Sequence, residues 1–173
     1  MRIFHEGKLV PLGHMTQRME ILCPCEQLER DLKIRVTFQN HCYTQKYDPN
    51  VHKSTDICLT EGKDRHRVFC PIRYALSHKL PSIVKELPSK KVHQTSQARN
   101  YVYAVRLELE NKDYEIYFML QLAQPEDEAD LRLTVESAYP NGSHNFRKRP
   151  NQIRFAVLAH KVLTRQTVRF APR

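Results

Sequence analysis

Several stretches of this chain alternate apolar and polar residues with a period of two. In DLKIRVTF, Leu32, Ile34, Val36 and Phe38 alternate with Lys33, Arg35 and Thr37, the pattern of a strand with one buried and one wet face. Tyr101 to Leu109 sets Tyr101, Tyr103, Val105, Leu107 and Leu109 on one face. Tyr114 to Leu122 repeats the pattern with Tyr114, Ile116, Phe118, Leu120 and Leu122, and the polar ENKD at 110–113 between them predicts an antiparallel hairpin. A further strand is expected where Leu131, Leu133, Val135, Ser137 and Tyr139 share one face, with Arg132, Thr134 and Glu136 on the other. Ile153, Phe155 and Val157, alternating with Arg154 and Ala156, read as the last strand of this meander. Pro150 cannot donate to a ladder, so FRKRP at 146–150 is a loop or a strand edge.

One segment has a different period. Tyr74, Leu76, Leu80, Ile83, Val84 and Leu87 fit a helical face, which predicts one helix over about 77–87 with Pro81 in its first turn and Pro88 at its end. The expected fold is α+β: a curved antiparallel sheet of five or more strands with one main helix packed on one face. Residues 1–18 read as a peripheral N-terminal extension, and 19–173 as a single domain.

Composition agrees with a folded chain. Hydrophobic residues at 40% and only 4 glycines in 173 residues leave enough apolar surface to offset the entropy of ordering the backbone. No stretch approaches the roughly 20 apolar residues of a membrane-spanning helix, and the first residues lack the apolar core of a signal peptide, so a cytoplasmic location is expected. The five cysteines, an odd number, point to reduced thiols. Charge is distributed unevenly. Eight of the net nine positive charges lie in residues 144–173, which contain no acid, leaving about one for residues 1–143. A localised cationic surface attracts polyanions and releases their counterions, so nucleic acid is the expected partner. The four acids of PEDEAD at 125–130 read as an exposed hairpin loop.

Candidate chemistry narrows by exclusion. With 4 glycines the chain carries neither phosphate-binding loop of the nucleotide enzymes, and Ser137 lacks the flanking glycines of a nucleophile elbow. No cofactor is expected. Cys23, Cys25, His41 and Cys42 offer the ligand types of tetrahedral zinc, although C-x-C and an adjacent His-Cys pair are poor spacings for it. What remains is RNA cleavage by the substrate's own 2′-hydroxyl, which needs an acid, a base and cations around the phosphate. His93 is the candidate acid or base, Arg99 or Arg106 the charge stabiliser, Ser137 or Tyr139 a phosphate contact, and Glu136 a further candidate catalytic residue. Lys90, Lys91, Arg147, Lys148, Arg149, Arg154 and Lys161 are the candidate nucleic-acid-binding cations.

The helix followed by an antiparallel meander, with LTVESAYP as a late strand, resembles the superfamily of small RNases that contains barnase, the EndoU nucleases, the colicin tRNases and the ribosome-associated toxin RNases. The resemblance covers about residues 72–160 and implies the same roles for His93, Arg99, Arg106, Ser137 and Tyr139. CPIRYALSHKLP and LRLTVESAYP also resemble segments of a family of bacterial proteins. The expectation is a nucleic-acid-binding protein, with metal-independent endoribonuclease activity as its sharpest form. The alternative is a protein-interaction module, an adaptor or inhibitor whose basic C-terminal surface meets an acidic protein.

Overall fold

A computed structural model describes residues 3–94, 101–105, 113–141 and 152–168. The protein is α+β and mostly strand. The chain opens with a hairpin, β1 (Phe4–His5) and β2 (Lys8–Leu9), whose turn places Glu6 and Gly7 at φ of 49° and 74°. Both central residues in the left-handed region match the primed turns that suit a tight hairpin. There follow α1 (Gly13–Thr16), β3 (Met19–Cys25) and β4 (Arg30–His41). Next come β5 (Thr44–Lys46), β6 (Ile57–Glu61), β7 (Arg65–Phe69), α2 (Pro71–Ser77) and α3 (Leu80–Glu86). The rest comprises β8 (Lys91–Gln94), β9 (Tyr101–Val105), β10 (Asp113–Leu122), β11 (Leu131–Asn141), β12 (Gln152–Arg154) and α4 (Phe155–Leu163).

Among the described residues, seven strands form one sheet in the order β12-β8-β9-β10-β11-β4-β3, and a second sheet has the order β5-β7-β6. The large sheet is mixed: β11 and β4 pair in parallel, and its other pairings are antiparallel. A wholly antiparallel sheet with one helix is therefore corrected to a mixed sheet with four helices among the described residues. The parallel pair follows from β4 lying early in the chain and β11 late, joined by a crossover that holds the small sheet and two helices.

One face of the large sheet is the core. Ile21, Leu32, Ile34, Ile116, Phe118, Leu131, Leu133 and Val135 are buried there, together with Leu80, Ile83 and Val84 of α3 and Phe155, Leu158 and Ala159 of α4. Phe155 packs against Phe118 with ring centroids 6.0 Å apart. Residues 1–18, read from the sequence as peripheral, contribute Ile3, Val10, Leu12 and Met15 to the same core. No described helix is long and apolar enough to cross a membrane.

Three local predictions are corrected. The single helix over 77–87 is two short helices, since Pro81 in the first turn of α3 has no N–H to give and its ring blocks the carbonyl four residues back. The strand expected at 153–157 stops at Arg154 and becomes α4, because Phe155, Leu158, Ala159 and Val162 recur at helical spacing and outweigh three alternating positions. Finally, Ser137 and Tyr139 do not share the face of Leu131, Leu133 and Val135. Tyr117 pairs with Ser137 while Phe118 pairs with Val135, so Glu136 is an extra residue in β11, and Ala138 is the next one buried. A bulge of one residue reverses the alternation beyond it and moves Ser137 and Tyr139 to the polar face.

Candidate functional site

That reversal assembles a polar surface across six strands. Residues paired in a ladder share a face, and successive pairings line up two rows. Gln152 pairs with His93, His93 with Val102, Val102 with Tyr117, Tyr117 with Ser137, and Ser137 with His41. In the neighbouring row Arg154 pairs with Lys91, while Glu115 pairs with both Ala104 and Tyr139.

At the centre of these rows, the Tyr117 and Tyr139 rings stack with centroids 5.4 Å apart and planes 15° from parallel. The Tyr117 hydroxyl donates to the buried carboxylate of Glu115. Arg73 of α2 lies over the Tyr139 ring at 5.0 Å, within cation–π range. Its Nη1 donates to the carbonyls of His41 and Thr44, 3.0 Å each, which fixes the guanidinium at the end of β4.

At the β4 end of the row, His41 Nε2 lies 3.0 and 3.1 Å from the two carboxylate oxygens of Glu61. Asn40 Nδ2 donates to the same carboxylate at 2.9 Å, and Arg67 stands 3.9 Å away. Burial pushes the Glu61 carboxyl upward, but the hydrogen bonds from His41 and Asn40 and the charges of His41 and Arg67 outweigh it, holding Glu61 below the ordinary value. Glu61 is therefore an anion at neutral pH. It fixes the imidazole through Nε2 and leaves Nδ1 without a hydrogen bond among the described residues.

The opposite edge of the sheet is cationic. Lys91 and Arg154 are exposed and form no ion pair among the described residues. Both border an open cleft of about 580 Å³ whose walls include Pro24, Glu26, Gln27, Pro88, Ala156 and Val157. Arg154 is also the residue preceding α4, and no side chain caps that helix. The Phe155 N–H donates to the Lys90 carbonyl at 2.9 Å, and the next two residues of the first turn, Ala156 and Val157, line the cleft, which brings the positive end of the helix dipole to it.

Elsewhere the polar face is electrically matched. Glu20 binds Arg18, Lys33 and Arg35, Asp127 binds Arg132 and Asp130 binds Arg30, with separations of 2.7 to 3.2 Å. Arg132 and the Gln124 N–H hold Asp127 below its ordinary pKa, and Arg30 and the Lys33 N–H do so for Asp130. The acidic segment at 125–130 is the hairpin loop between β10 and β11, with Pro125, Glu126 and Glu128 exposed as expected, while Asp127 and Asp130 turn inward and tie it to β11 and β4.

The other sequence candidates fall as follows. His93 is only 8% exposed, and its Nε2 sits 3.5 Å from Gln152 Nε2. Strands in a sheet lie about 4.8 Å apart, so His93 is roughly 10 Å from Tyr117 and about 19 Å from His41. Glu136 occupies the bulge. Lys90 pairs with Glu86 at 3.2 Å, and Lys161 reaches the Thr167 carbonyl at 3.5 Å. Arg99, Arg106, Arg147, Lys148 and Arg149 lie outside the described residues.

The four zinc candidates do not converge. Cys23 and Cys25 pair with Leu32 and Arg30 at one end of β4, while Cys42 follows its other end, ten residues from Leu32 and about 33 Å along an extended strand. Burial pushes Cys23 up to about 11 and Cys42 up to about 12, so both are neutral thiols in the core. His41 is engaged by Glu61 instead.

Arg73 and Glu61 were not singled out by the sequence. Arg73 lies within the CPIRYALSHKLP segment without having been picked out there, Glu61 belongs to no quoted segment, and both enter the site from the crossover between β4 and β11. The bulge did leave a trace, because the buried phase of β11 shifts from odd positions through Val135 to Ala138.

The model of the YjaZ family matches residues 2–163 of this chain. No curated protein matches it, and no solved structure does.

Proposed function

The chain belongs to the YjaZ family, and we propose that it binds single-stranded nucleic acid across the polar face of its large sheet. Lys91 and Arg154 carry this reading. They are paired in register, exposed, free of acidic partners among the described residues, and set beside the uncapped start of α4. Two cations and a helix N-terminus around one cleft suit a phosphate group. From there the rows cross to the stacked Tyr117 and Tyr139, aromatic rings of the kind on which bases stack irrespective of sequence.

The rest of the charge pattern supports the same reading. Residues 1–143 carry 20 Lys and Arg against all 19 Asp and Glu, so nearly all of the net charge of +9 belongs to residues 144–173. A folded surface with cations at one end and matched charges at the other attracts a polyanion directionally.

The test is fluorescence anisotropy with a labelled 12-nucleotide single-stranded RNA at several salt concentrations. Affinity is expected to fall steeply with salt, by roughly 0.7 logarithmic units per contact for each tenfold rise. No binding at low salt, or an affinity indifferent to salt, would remove the reading. RNA cleavage is the finer form of this proposal, and it depends on a base that the substrate can reach.

A further inference from the structure

We propose that the reachable base is His41: it is the general base of a 2′-hydroxyl-driven RNA-cleaving site, with Glu61 as its positioning residue and Arg73 as the cation that meets the phosphate. The inference deepens the nucleic-acid reading above and rests on it. It moves the catalytic centre from His93, at one side of the row, to the opposite end.

Access is the first reason. The His41 side chain is 38% exposed, whereas His93 as a residue is 8% exposed. A base has to come within hydrogen-bond reach of the proton it removes.

Orientation is the second. Glu61 receives Nε2–H from His41 through both oxygens, at 3.0 and 3.1 Å, and Asn40 and Arg67 hold the carboxylate in turn. This is the arrangement in which a carboxylate selects the imidazole tautomer and leaves the other nitrogen as the acceptor. The third reason is the surroundings. Arg73 is anchored by the His41 carbonyl, so its remaining N–H donors lie beside the dyad, and its face covers Tyr139.

The dyad engages no protein nucleophile. Ser137 is the register neighbour of His41, yet its hydroxyl makes no hydrogen bond among the described residues. A base and a cation without an activated side-chain nucleophile suit a substrate that carries its own, which RNA does in the 2′-hydroxyl. His41 Nδ1 takes the 2′-OH proton as the 2′-oxygen bonds to phosphorus. The bond from phosphorus to the 5′-oxygen breaks, and water protonates that oxygen. The products are a 2′,3′-cyclic phosphate and a free 5′-hydroxyl, after which His41 returns its proton to solvent. Arg73 stabilises the charge gathered on the phosphorane.

The experiment compares cleavage of a labelled single-stranded RNA with that of the DNA of the same sequence, alongside anisotropy of the same RNA. Wild type, His41→Ala, His41→Gln, Glu61→Gln and Glu61→Asp are purified in parallel and checked for folding by circular dichroism. Wild type is expected to cut RNA to a cyclic phosphate and leave DNA intact. His41→Ala and His41→Gln are expected to lose about 10²- to 10⁴-fold in rate while binding RNA as wild type does. Glu61→Gln should lower kcat with KM unchanged, and Glu61→Asp should recover part of the loss, which a purely structural carboxylate would not produce. Undiminished cleavage by both folded His41 variants overturns the proposal. Wild type that binds RNA and leaves it uncut overturns it too, while the binding reading survives. Wild type that neither binds nor cuts RNA removes both.

Discussion

Two histidines on one register row differ in what surrounds them, and that difference decides which can act. His93 is closed off beside Gln152, whereas His41 is held at Nε2 by an anion and open at Nδ1. Nothing in the local sequence of either residue distinguishes them, since Glu61 is twenty positions from His41 and arrives through a separate sheet. The carboxylates make equally specific ties. Asp130 receives two hydrogen bonds from Arg30, at 2.7 and 2.9 Å, and one from the Lys33 N–H at 2.8 Å. Its pKa is depressed below 3.8, so its contribution to stability is present above that value and lost as pH falls through the lower folded-state value. Asp130→Asn is expected to cost about 1 kcal/mol at pH 7, because Arg30 is half exposed and its pairing is screened. Thermal melts should show a Tm lowered by roughly 3 °C at pH 7 and a gap that closes as the pH falls through the depressed folded-state value of Asp130. A gap that stays constant with pH would contradict the ionic account. The buried thiols give a second check: Cys23 and Cys42 should stay unreactive toward an exposed-thiol reagent until the protein is denatured.

Elements were legible where one period ran unbroken. The alternations at 32–38 and 114–122 became β4 and β10 with the expected residues buried except Phe38 and Leu122 at the ends, which are half-buried, because burial of one face dominates when nothing interrupts the pleat. The failures share a cause. Three or four alternating positions were read locally while a longer-range term decided the outcome. Glu136 shifts β11 out of phase so that Ala138 can face the core, and Phe155, Leu158 and Ala159 wind into α4 because the core face of the sheet needs covering. The small sheet of β5, β6 and β7 went unread because its charged residues hide the apolar phase. If α4 closes the core, Leu158→Ala should cost about 2–5 kcal/mol, read as a fall in Tm on the order of 10 °C. Val157→Ala, at the cleft wall, should change Tm far less. Equal losses for the two would mean that α4 is not packed as described.

At the scale of the whole molecule, the placement of charge was legible and the placement of the site was not. The acid-free C-terminal segment could be read directly, and its described part includes the edge strand β12, where Arg154 pairs in register with Lys91 and neither forms an ion pair among the described residues. The convergence of His41, Glu61, Arg73, Ser137 and Tyr139 could not be read, because it joins β4, β6, α2 and β11 across more than sixty intervening residues. The central claim is that the edge formed by Lys91 and Arg154 holds phosphate and guides a nucleic-acid strand along the polar face. The most direct measurement is the salt dependence of single-stranded RNA binding by wild type and by the Lys91→Ala, Arg154→Ala double variant. Losing two phosphate contacts should weaken binding and flatten the slope of log affinity against log salt by about 1.4, with Tm essentially unchanged. A double variant whose affinity and slope both match wild type would contradict the account.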